Sequence, residues 1–100
     1  MADTPLPHRK EVRIPLKMFV NLSSSDKPSF ELAPTIDISC HGAQVVTRRS
    51  WQPNQQLLVR AIRGTLNSLA RVVHCEPYKD NSFVIGIEIY APTGDWTGAT

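Results

Sequence analysis

Six consecutive residues, Asp37-Ile38-Ser39-Cys40-His41-Gly42, set a carboxylate, a hydroxyl, a thiol and an imidazole side by side. Those groups suit three chemistries: nucleophilic catalysis, metal binding, or a polar turn that holds a ligand. Asp37, Ser39 and His41 alternate, so on a strand all three would share one face. A catalytic triad needs its base between the nucleophile and the orienting acid, all within hydrogen-bond reach. Here Ser39 is the middle member, and same-face neighbours on a strand lie roughly 6–7 Å apart. No Gly-x-Ser-x-Gly elbow is present. The chain therefore reads as a non-enzyme.

The metal reading rests on two mirrored pairs, Cys40-His41 and His74-Cys75. Structural zinc sites space paired ligands by two to five residues so that both converge on the ion. Adjacent residues on a strand point to opposite faces, so only one member of each pair could contribute. Two ligands do not make a site. The two cysteines read as free thiols, and no P-loop or dinucleotide motif occurs. No cofactor is expected.

Charge adds a sign. From Ile38 to Cys75 there is no acidic residue, while Arg48, Arg49, Arg60, Arg63 and Arg71 all fall there. From Glu76 onward the balance reverses, with Glu76, Asp80, Glu88 and Asp95 against Lys79. The middle of the chain suits an anionic partner. A composition of 41% hydrophobic and 20% charged residues is that of an ordinary globular domain. No apolar run reaches the roughly 18 residues of a membrane span. No signal-like block precedes the domain, and a cytoplasmic protein without membrane insertion is expected.

The elements that must position these residues are short and extended. VRIPLKMFVNL, FELAPTIDIS, GAQVVT, LLVRAI, LARVVHC and FVIGIEIY read as strands, separated by turn-rich stretches such as SSSDKPS and PYKDNS. In the last strand Phe83, Ile85, Ile87 and Ile89 share a face. Pro15 and Pro34 suit strand edges or a bulge. No segment keeps a helical apolar period. Six short strands in 100 residues predict one all-β domain, a small antiparallel barrel, which removes exposed edges. Residues 1–8 read as a flexible lead-in, 9–91 as the barrel with its N-terminal arm, and 92–100 as a loose tail whose Trp96 could fold back onto the barrel.

Two spaced motifs then come together. Arg9-x-x-x-Arg13 stands at the mouth of the first strand, and Asp37-x-Ser39-x-x-Gly42, followed by Ala43, closes the second. With seven arginines, the first is expected by chance about half a time. The second, with Asp or Asn allowed first, is expected about 0.03 times, and the two together roughly 0.02 times. This combination, with Gly86 in the last strand, resembles the PilZ domain family of bacterial second-messenger receptors over about His8 to Tyr90.

The resemblance implies a six-stranded antiparallel β-barrel with a flexible N-terminal arm that binds cyclic di-GMP on the barrel surface. Arg9 and Arg13 would grip guanine O6/N7 or a phosphate as guanidinium forks. Asp37 would accept from a guanine N–H or hold an arginine in place, and Ser39 would donate to phosphate or base. Gly42 would permit a positive φ or a close backbone approach to the ligand. In this scheme Cys40 is a packing residue and His41 sits in the turn. His8 stands where many members have a further arginine, and His74 where some have a guanine-stacking tryptophan. Lys10, His41 and Arg71 complete the secondary candidates.

The function implied is a receptor or adaptor that orders its arm on binding and signals to an effector protein not identified by the sequence. Two alternatives stand beside it. One is a PilZ-like interaction module that binds no nucleotide. The other is a basic barrel for single-stranded nucleic acid, disfavoured because only seven aromatics occur and several fall at core positions.

Overall fold

The computed structural model describes residues 12–24 and 30–96. It is all-β: β1 (Ile14–Pro15), β2 (Phe19–Ser24), β3 (Phe30–Ser39), β4 (Gly42–Thr47), β5 (Gln56–Ala61), β6 (Asn67–Pro77) and β7 (Phe83–Thr93). Every pairing is antiparallel. The order β3-β2-β5-β6-β7-β4 closes through an additional β3–β4 ladder into a six-strand barrel, and β1 is one further short strand on β3.

Alternation builds the core. Val20 and Leu22 on β2, Leu57 and Val59 on β5, Ala70 and Val72 on β6, and Ile85 and Ile87 on β7 all point inward and are buried. Each buried Val, Leu or Ile contributes about 1.5–3 kcal/mol relative to exposure. Their outward neighbours remain accessible, as the buried-exposed alternation along β5 shows.

The first strand differs from the single run expected over VRIPLKMFVNL. It is broken at Leu16–Met18, and both pieces lie on the same side of β3. Pro15 pairs with Asp37 and Phe19 with Pro34, so four steps on one strand oppose three on the other. Thr35 fills this irregularity: its hydroxyl donates to the Leu16 carbonyl at 2.7 Å and accepts from the Met18 amide at 3.0 Å. An inward hydroxyl replaces the ladder bonds that the extra residue disrupts.

The C-terminal stretch, expected to be loose unless Trp96 folds back, has Trp96 folded back onto the barrel. β7 runs on to Thr93. Trp96 is 8% exposed and its indole Nε1 donates to the Ser39 carbonyl at 2.8 Å. A large ring that seals the barrel end and satisfies its own polar atom holds this segment in place. Among the described residues no helix is long and apolar enough to cross a membrane.

Candidate functional site

Asp37 faces outward because of a bulge. Thr35 points inward and is 3% exposed, so simple alternation would turn Asp37 inward as well. Between Thr35 and Asp37 the β3–β4 register shifts: Thr35 pairs with Val45, but Asp37 pairs with Gln44. The extra residue, Ile36, moves the aspartate to the other face.

On that face Asp37 is held from both sides. Arg13 Nη1 donates to Oδ1 at 2.5 Å and Gln44 Nε2 donates to Oδ2 at 3.4 Å. The Arg13 side chain is 49% exposed and that of Asp37 16%. The end of the N-terminal arm is thereby tied to the motif strand. Cross-strand partners continue the row from Asp37 to Gln44, from Gln44 to Gly86, and from Gly86 to His74. A carboxylate clamped by a guanidinium and an amide, with an imidazole beyond, offers directional contacts to a flat, polar, anionic ligand.

The next row holds Ser39, Gly42, Glu88 and Arg71. Ser39 is 4% exposed, and its hydroxyl donates to the Gly42 carbonyl at 3.3 Å. Gly42 has no positive φ. A Cβ there would lie 2.2 Å from the Ile87 carbonyl oxygen, so the close approach that requires glycine is to β7, not to a ligand. His41 sits in the turn, where its carbonyl accepts from the Ile89 amide at 2.9 Å. Cys40 is exposed rather than packed, because the turn carries it outside the barrel; both cysteines are free thiols.

The acid-free middle of the chain is not a uniformly basic surface. Arg71 Nε donates to Glu88 at 2.9 Å and its Nη1 to Asn54 Oδ1 at 2.9 Å. Arg49 lies 3.9 Å from Glu31. Antiparallel pairing brings acids from outside the basic segment against it, which composition does not reveal. His8, Arg9 and Lys10 lie outside the described residues. Among the described residues no group of three or more His, Cys, Asp or Glu is placed to hold a metal ion.

Gln44 is the residue that sequence reasoning missed. It carries no motif signal and joins the site only through its register opposite Asp37.

A family model, PilZ domain, matches residues 7–95, and the chain belongs to that family. PilZ domains are generally cyclic di-GMP receptors, built to bind rather than to catalyse. No curated protein was found to match.

Proposed function

We propose that this domain binds cyclic di-GMP on the outer face of β3, β4, β7 and β6 and passes the signal to a partner protein through its N-terminal arm. The observation that carries this reading is the Arg13–Asp37 pair, which joins the arm to the motif strand at 2.5 Å. Arg9 and Arg13 grip guanine O6/N7 or phosphate, the pairings a guanidinium fork makes best. Asp37 orients Arg13, Ser39 and Gly42 build the turn beneath the ligand, and His74 contacts a base. His8, Lys10, His41 and Arg71 stand at the margin. The domain catalyses nothing and uses no cofactor. Its ligand, an intracellular bacterial messenger, implies a cytoplasmic place of action. Ordering the arm on binding would change the surface offered to the effector.

Calorimetric titration of cyclic di-GMP into wild type, Arg9→Ala and Arg13→Ala, with GMP as control, tests the reading. Saturable heat in wild type and its loss in both variants is expected. Absence of heat with folded wild type at tens of micromolar would overturn it.

A second reading, an interaction module without nucleotide, takes its support from Ser39, whose buried hydroxyl already serves the turn. Equal pull-down of a protein partner by wild type and the Arg9/Arg13 double alanine variant would favour it.

A further inference from the structure

His74 is turned toward the site by a second bulge, independent of the one at Ile36. Val72 pairs with Ile87 and both are buried, so continued alternation would place Val73 opposite Gly86 and His74 opposite the inward Ile85. The β6–β7 register shifts between Val72 and His74, and His74 instead pairs with Gly86. One inserted residue moves the imidazole from a core-facing position to the outer face. Both bulges deliver a polar side chain to the same cross-strand row, with Gln44 and Gly86 between them.

Gly86 then determines where that imidazole lies. A Cβ at Gly86 would fall 2.4 Å from His74 Cε1, 2.8 Å from Nδ1 and 3.1 Å from Nε2. No side chain at 86 can share that space. The ring therefore occupies the place above β7 that a side chain would fill, in the cross-strand row that continues to Gln44 and Asp37. Gly86 itself is buried while His74 is exposed, as expected if the ring covers the backbone.

We infer that Gly86 is a positioning residue of the nucleotide site: it admits the His74 ring to the row that begins at Arg13 and Asp37, where the ring stacks on a purine base. This rests on the receptor reading above. The glycine need not touch ligand. Its function is to be empty.

The atoms that a new methyl would meet belong to the end of a side chain exposed to solvent, so Gly86→Ala can fold with the ring swung outward. Cyclic di-GMP titrations on wild type, Gly86→Ala, His74→Ala and the double variant, each with a thermal melt, test the inference. We expect either single change to weaken binding about five- to thirtyfold with an unchanged melt, on the scale of a lost base–ring stack. The double variant should be no weaker than His74→Ala, because the glycine acts only through the ring. Gly86→Ala binding within twofold of wild type, or penalties that multiply in the double variant, would overturn the inference. A separate readout needs no ligand: the Gly86 Hα resonances should carry a ring-current shift that His74→Ala removes. Unchanged Gly86 resonances would sink the placement of the ring itself, whereas a lost shift with no binding by wild type would sink the receptor reading on which the stacking role rests.

Discussion

Arg13 and Asp37 meet beside the β1–β3 ladder, the guanidinium on one carboxylate oxygen at 2.5 Å while Gln44 takes the other. The carboxylate thus works as a fixed post to which the arm is moored. Half-exposed ion pairs contribute only about 0–1 kcal/mol to stability. The pair's importance should therefore appear in binding and not in folding. Arg13→Ala is expected to shift the melting temperature by no more than a few degrees while lowering cyclic di-GMP affinity at least tenfold. Asp37→Ala should show the same split. Calorimetric titration beside a thermal melt measures both, and a large drop in stability with unchanged affinity would refute the assignment.

Gly42 and Gly86 occupy neighbouring outer rows but should respond oppositely to alanine. At Gly42 the added methyl meets the Ile87 carbonyl, a backbone atom held in place by the β4–β7 ladder and by the Ile89 amide bonded to His41. Overpacking against a rigid backbone costs about 1–3 kcal/mol. Urea unfolding of Gly42→Ala should show a loss of that size, where Gly86→Ala shows little.

Thr35→Val tests the repair of the broken first strand. The swap keeps the shape but leaves the Met18 amide and the Leu16 carbonyl without their hydroxyl partner. Each buried group so abandoned costs about 1–3 kcal/mol. Amide exchange at Met18 should accelerate at least tenfold while the Ile85 and Ile87 amides on β7, across the barrel, change only with global stability. Uniform acceleration would mean that Thr35 merely fills the core.

Trp96→Phe removes the indole donor to Ser39 while keeping an aromatic ring at the barrel end. A loss of about 1–3 kcal/mol in urea unfolding is expected for the carbonyl left without its donor. Since that carbonyl belongs to the motif turn, the variant should also bind cyclic di-GMP more weakly. An unchanged unfolding midpoint would show that solvent replaces the bond at no cost.

Local patterns announced much of this molecule. β3 and β4 occupy the stretches FELAPTIDIS and GAQVVT read as strands, and inward Ile85, Ile87 and Ile89 follow from strict alternation in FVIGIEIY. The spacing of Arg9, Arg13, Asp37, Ser39 and Gly42 carried the family resemblance, and a family match over 7–95 supports it. Backbone pleat and turn chemistry depend on near neighbours in the chain, so a single sequence displays them.

What the tertiary structure alone decided is which face each polar residue took. Period-two reading puts Asp37 with the inward Thr35 and His74 with the inward Val72, and in both cases one bulged residue reverses the result. A bulge is a mismatch between two strands, and neither strand records it alone. The Arg13–Asp37 pair, separated by 24 residues, Gln44's hold on Asp37 and the docking of Trp96 on Ser39 likewise arise only after the barrel has closed. The residue types were set by the sequence; their convergence on one outer row was set by register, which is a property of strands in pairs.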